Sequence, residues 1–193
     1  QVLSVQGQVI PATGIDVMLW AELEDGEKIF GESLIGKSVK PISRIGCLPE
    51  NPPALKNAIE AIKEADLIVL GPGSLYTSLL PNLLVPEIVE ELLKNNSPKI
   101  YISNLMTQPG ETDGLDVYQH IKSIEKQLFN FGVNTRIFNA ILSQGEFEGS
   151  SLIDYYRSRG AEPVICNKKR LLSEGYHVLQ APLYSKRITP TLR

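Results

Sequence analysis

The sequence is poor in the residues that carry redox, metal and nucleophilic chemistry. It holds two cysteines, two histidines and one tryptophan among 193 residues. Cys47 and Cys166 stand far apart and match no metal or redox spacing, so they read as two reduced thiols. His120 falls on an amphipathic helical stretch with no carboxylate or thiol arranged for a triad or a metal, and reads as an ordinary helix residue. An excess of basic charge is missing too. The formal net charge of -3 argues against the basic face of a nucleic-acid binder. No apolar run is long enough to cross a bilayer. Gln1-Val2-Leu3-Ser4-Val5 lacks the basic start of a signal peptide and reads as a strand opening. Since Gln1 is not an initiator, the chain is expected to begin in mid-domain, and the expected location is the cytoplasm.

What is present is an ordinary globular composition, 42% apolar and 21% charged. The first 48 residues alternate like β structure. Runs at 17–23 and 28–35 flank Asp25-Gly26, a hairpin signal, and 39–48 reads as a further strand closed by Pro49, Pro52 and Pro53. From residue 54 the period changes. Ala54, Leu55, Ala58, Ile59 and Ile62 recur at helical spacing, so 54–65 predicts an amphipathic helix. Residues 65–70 form a short apolar run of the kind buried on both faces of a parallel sheet. Helices are predicted near 84–95, over 114–130 and over 151–160. Strands are predicted at 99–105, 135–142 and 162–166.

This alternation predicts an α/β fold, a Rossmann-like three-layer sandwich with a mostly parallel sheet and a small antiparallel β region at the N-terminal end. Residues 1–193 read as one domain, with a β-rich element at 1–48 and a βαβ core at 54–193.

In open parallel sheets, ligands collect beyond the carboxyl ends of the strands. Two such places are polar and glycine-rich. In the loop 71–78, Gly71 and Gly73 around Pro72 permit a sharp turn and a close approach to a ligand, while Ser74, Thr77 and Ser78 supply hydroxyls. Free N–H groups there would favour an anion. The same pattern also describes a capped turn with no ligand. It is neither Gly-x-Gly-x-x-Gly nor a P-loop, for no Gly-Lys-Ser/Thr follows. In the loop 104–114, Asn104, Thr107 and Gln108 can hydrogen-bond a sugar, base or phosphate. Glu111 and Asp113 could hold Mg²⁺ together with phosphates. The alternative is that Thr112 or Asp113 caps the next helix. Asn82, an amide among apolar residues, needs a partner and reads either as a site residue or as a helix cap. Lys186, Arg187 and Arg193 make the tail basic: a solvated surface, or a guanidinium reaching a diphosphate.

The stretches Ala65-Asp66-Leu67-Ile68-Val69-Leu70-Gly71-Pro72-Gly73-Ser74-Leu75-Tyr76-Thr77-Ser78, Pro81-Asn82-Leu83-Leu84-Val85 and Asn104-Leu105-Met106-Thr107-Gln108-Pro109-Gly110-Glu111-Thr112 resemble the gluconeogenesis factor family. That family is a bacterial branch of the CofD-like superfamily, which includes 2-phospho-L-lactate transferase. Gly7-Gln8-Val9-Ile10-Pro11-Ala12-Thr13 and Gly31-Glu32-Ser33 resemble it too. The resemblance implies a cytoplasmic protein that supports cell shape and wall synthesis during gluconeogenic growth and binds UDP-sugars, UDP-N-acetylglucosamine in particular. By the same resemblance, the loop 71–78 corresponds to the family's glycine-serine loop. Asn104, Thr107 and Gln108 correspond to its second ligand loop, and Arg193 to a C-terminal arginine near the nucleotide. The family's opening glycine-rich nucleotide loop has no counterpart here, so the chain is expected to lack the first βα units and the final helix.

Three functions follow as expectations. The first is a nucleotide-sugar-binding regulator, which suits a sequence with no evident nucleophile or acid–base pair. The second is a Mg²⁺-dependent transferase moving a phospho-acyl group from a nucleotide-activated donor to a deazaflavin. The third is a scaffold whose residues 1–48 dock a second copy or a partner enzyme of cell-wall precursor synthesis.

Overall fold

A computed structural model of the chain describes residues 7–38, 40–147 and 150–184. Among these residues, seven strands form two sheets. In the first, β1 (Met18–Leu23) lies between β2 (Lys28–Phe30) and β3 (Ile42–Leu48), all antiparallel. Gly26, at φ 85°, turns the β1–β2 hairpin, and Asp25 accepts the Glu27 amide at 3.1 Å. The apolar run from Lys28 does not stay extended to residue 35: it stops at Gly31 (φ 93°), and Glu32–Ile35 forms the short helix α1. A positive φ ends a strand because the ladder cannot follow it.

The second sheet is parallel, in the order β4 (Ile68–Leu70), β5 (Lys99–Ile102), β6 (Ala140–Gln144), β7 (His177–Ala181). The helices α2 (Lys56–Glu64), α3 (Pro86–Lys94), α4 (Val117–Phe129), α5 (Ser150–Arg157) and α6 (Lys168–Ser173) alternate with these strands. The α4 helix starts on a capping box, Asp116 accepting the Gln119 amide while the Gln119 side chain accepts the Asp116 amide. Pro86 opens α3, where its missing N–H costs nothing.

The expected strand at 162–166 does not form. Pro163 cannot donate to a ladder, and only an isolated bridge pairs it with Met106. The last strand among the described residues is β7, beyond that segment.

Strand order follows chain order, so right-handed crossovers put the connecting helices on one face of the parallel sheet. Burial agrees. Tyr101, Ile141 and Val178, side by side in register, are buried. Val69 and Leu179, on the opposite face, are 46% and 53% exposed. The 65–70 run is therefore not buried on both faces: β4 is paired only to β5 among the described residues. The antiparallel sheet packs on α4 and on the turn Leu80–Leu84, and Ile45 donates its amide to Gln127 of α4. Helices thus lie between two sheets. One apolar core runs through them, including Leu75, Leu80, Leu83, Ile121, Ile124 and Leu128. Each such side chain contributes about 1.5–3 kcal/mol on burial.

Candidate functional site

The loops after β4 and β5 lie at the carboxyl ends of adjacent parallel strands and are stitched together. Gly71 leaves β4 with φ 94°, and a Cβ there would sit 2.5 Å from the Ile102 carbonyl. Only glycine lets the chain turn this close to β5. Gly73 and Asn104 then form a reciprocal pair. The Gly73 amide donates to Asn104 Oδ1 at 3.2 Å, and Asn104 Nδ2 donates to the Gly73 carbonyl at 2.9 Å. The Ser74 hydroxyl donates to Gln108 Oε1 at 2.6 Å.

Beneath this rim lies Glu111, 5% exposed. Its Oε1 accepts the Thr77 hydroxyl at 2.9 Å and Gln108 Nε2 at 2.7 Å, and its Oε2 accepts the Tyr76 amide at 3.2 Å. Burial pushes the Glu111 carboxyl above the usual carboxylate range, while the bonds from the Thr77 hydroxyl and the Tyr76 amide pull the other way. The residues that follow Ser74 form the π-helical turn Leu75–Leu79, whose apolar side chains enter the core.

Of the residues singled out in sequence, Gly71, Gly73, Ser74, Thr77, Asn104 and Gln108 are thus brought into one network, mostly bonded to each other. Glu111 links Thr77 and Gln108 from beneath, and the remaining residues stand apart from this network. Ser78 is exposed, and its carbonyl accepts Asn82 Nδ2 at 2.8 Å. Asn82 therefore finds its partners in the preceding turn, the Ser78 and Leu79 carbonyls, and caps no helix start. Thr107 ties down the segment after α5, accepting the Glu162 amide at 2.8 Å and donating its own amide to the Glu162 carbonyl at 2.7 Å. Arg193, with Lys186 and Arg187, lies outside the described residues.

The two carboxylates of the expected Mg²⁺ pair, Glu111 and Asp113, already accept protein donors. Glu111 spends both oxygens on protein donors, and exposed Asp113 accepts the Gly110 amide at 2.8 Å. Among the described residues no group of three or more His, Cys, Asp or Glu is placed to hold a metal ion.

Some structural roles were not visible in the pattern. Tyr76 is buried, with its hydroxyl within bonding distance of the Ile42 carbonyl (3.3 Å) and Ser123 Oγ (3.2 Å), and so joins the loop to β3 and α4. Gly110 (φ 84°) lets the second loop press on the turn after α1, where a Cβ would meet the Ser38 carbonyl at 2.4 Å. A cavity of about 240 Å³ lies on that side of Glu111, lined by Glu24, Lys40, Tyr76, Asp113 and Lys126 among others. Ser103 and Ser143 occupy neighbouring positions at the ends of β5 and β6, the Ser103 amide donating to Leu142. Both are buried with hydroxyls that have no protein partner. His120 is buried in α4. Its Nδ1 donates to the Asp116 carbonyl, and burial lowers its pKa, which favours the neutral ring.

Comparison with known proteins agrees in sequence and in fold. A family model described as 2-phospho-L-lactate transferase CofD matches residues 1–184. A putative gluconeogenesis factor of Nostoc sp. strain PCC 7120 is 45% identical over 181 residues, covering 94% of this chain and 39% of that protein. The gluconeogenesis factor of Bacillus subtilis strain 168 is 40% identical over 180 residues, covering 93% of this chain and 55% of that protein. A crystal structure of a UPF0052 family protein from Bacillus halodurans superposes with a TM-score of 0.87 at 40% identity, covering 96% of this chain and 58% of that one. The chain spans about half the length of the relatives it matches. Among the described residues, no helix is long and apolar enough to cross a membrane.

Proposed function

The chain belongs to the CofD family, in the company of relatives named gluconeogenesis factors, and on that premise we propose that it is a cytoplasmic nucleotide-sugar-binding regulator. Its ligand is of the UDP-N-acetylglucosamine type, and its role is to support cell shape and wall synthesis during gluconeogenic growth. The observation that supports this reading is the reciprocal Gly73–Asn104 pair, with Ser74–Gln108 beside it. It makes one rim of two loops at the ends of adjacent parallel strands, where such sheets take their ligands. In this reading the rim is one wall of the crevice.

Calorimetry with UDP-N-acetylglucosamine, on the protein at the full length of its relatives, tests it. Binding is expected, weakened in Asn104→Ala. No measurable heat, or binding indifferent to that substitution, refutes the reading. The family's description favours a second reading, a transferase that consumes a nucleotide-activated donor. Product formation with a deazaflavin acceptor and added Mg²⁺ would establish it, and a persistent lack of product would remove it.

A further inference from the structure

Glu111 is the most buried charged group of the paired loops, and the nucleotide-sugar reading gives it no role. Three donors from two segments converge on it: the Tyr76 amide, the Thr77 hydroxyl and the Gln108 side-chain amide. A buried carboxylate is tolerated only where such donors replace its water. The arrangement is directional. By accepting from Gln108 Nε2, Glu111 fixes which way that amide faces, and so presents Gln108 Oε1 to the Ser74 hydroxyl at 2.6 Å. By accepting from Tyr76 and Thr77 it fixes the first turn of Leu75–Leu79, which begins directly after Ser74. A tight turn rich in N–H and hydroxyl donors suits an anion. Here the anion on its inner side comes from the chain itself.

We propose that Glu111 is the positioning residue of the ligand loop: a built-in counter-anion that holds Ser74 and the Leu75–Leu79 turn in ligand-ready shape from within. An incoming phosphate then meets the outer edge of the loop, around Gly73, Ser74 and exposed Ser78. The effect on the ligand rests on the nucleotide-sugar reading; the effect on the loop does not. Glu111 touches no ligand in this scheme and acts through Gln108, Tyr76 and Thr77. It also explains why the second loop needs a carboxylate at this position without calling on a metal.

The test is amide hydrogen exchange across residues 74–79 in the whole chain, with formate as the probe. In Glu111→Ala, exchange at the Tyr76 amide should rise about tenfold, the factor that one lost hydrogen bond represents. Formate in the vacated space should return it towards the wild-type rate, while leaving wild type and Glu111→Gln unmoved. Unchanged exchange in Glu111→Ala overturns the proposal. So does faster exchange that formate cannot reverse, since that would mark a purely packing role. Should Glu111→Ala fail to fold, Glu111→Gln decides. Its carbonyl keeps the Thr77 and Gln108 bonds and its amide faces the Tyr76 N–H, so protection should drop at Tyr76 alone, and uniform protection would overturn the proposal. Calorimetry in parallel separates the two readings. If wild type binds no UDP-N-acetylglucosamine while formate still rescues exchange, the ligand reading falls and the positioning role stands.

Discussion

Replacing Gly110 with alanine should destabilise the protein by about 3 kcal/mol. Two penalties combine. A Cβ-bearing residue at φ 84° carries about 1–2 kcal/mol of left-handed strain. The new methyl would also lie 2.4 Å from the Ser38 carbonyl oxygen, and backbone cannot swing aside as a side-chain tip can. Relieving such overpacking typically costs about 1–3 kcal/mol. Loss of glycine's freedom in the unfolded chain returns about 0.4–1 kcal/mol. Gly114, four residues on, is the internal control: its φ is 70°, but nothing lies within 4 Å of its Cβ position. Gly114→Ala carries the strain alone and should cost about 1 kcal/mol. Urea unfolding followed by far-ultraviolet circular dichroism distinguishes them. With a slope of about 1–3 kcal/mol per molar urea, the Gly110→Ala midpoint should fall about 1–3 M below wild type. Equal midpoints for the two variants would refute the claim that the second loop is pressed onto the turn after α1.

Other outcomes follow from the same geometry. Gly46→Ala would place a methyl 2.2 Å from the Trp20 ring, which also carries Lys28 and Arg44 at 4.6 and 5.3 Å from its centroid. Since Trp20 is the sole tryptophan, a red-shifted emission should report its displacement, and an unchanged spectrum would contradict the packing. Ser103→Ala and Ser143→Ala remove buried hydroxyls that lack a protein partner, so each should be neutral or stabilising by up to about 1 kcal/mol. A clear loss in thermal unfolding would instead reveal bound water. Glu111 has a raised folded-state pKa, so its contribution to stability is complete below the ordinary carboxylate value and is lost as pH rises through the raised one. The stability of wild type relative to Glu111→Gln, measured by urea titration, should therefore decline as pH rises through that window. Glu22 acts in the opposite sense: its hydrogen bond from Arg44 lowers its carboxyl, and its contribution fades on acidification. A difference between wild type and Glu111→Gln that does not move with pH would refute the buried carboxylate.

Much of the fold was legible because periodicity reports burial. The helical spacing of Ala58, Ile59 and Ile62 and the hairpin at Asp25-Gly26 both correspond to elements of the structure. The strand read at 162–166 failed because its apolar pattern outweighed the missing donor of Pro163. The fully buried reading of 65–70 failed for a topological reason. A local run cannot reveal that successive crossovers all fall on one side of a sheet. In the site, side-chain types showed which loops are polar, but not which groups bond to each other. Asn104 and Glu111 looked alike as ligand-facing residues. Yet Asn104 is half-buried and pairs with a backbone of the neighbouring loop, whereas Glu111 is buried beneath it. That distinction depends on contacts between residues more than thirty positions apart, which spacing does not encode.

Among the described residues one face of the parallel sheet is left uncovered, which bears on how this chain behaves in a tube. Val69 and Leu179 present aliphatic surface there, and Leu67 beside β4 is 50% exposed. Sulfate and similar excluded salts strengthen apolar association. The chain should therefore precipitate at lower ammonium sulfate than its charged fraction suggests, and be retained on a hydrophobic-interaction column. Dilute, low-salt buffers are the conditions in which to purify it.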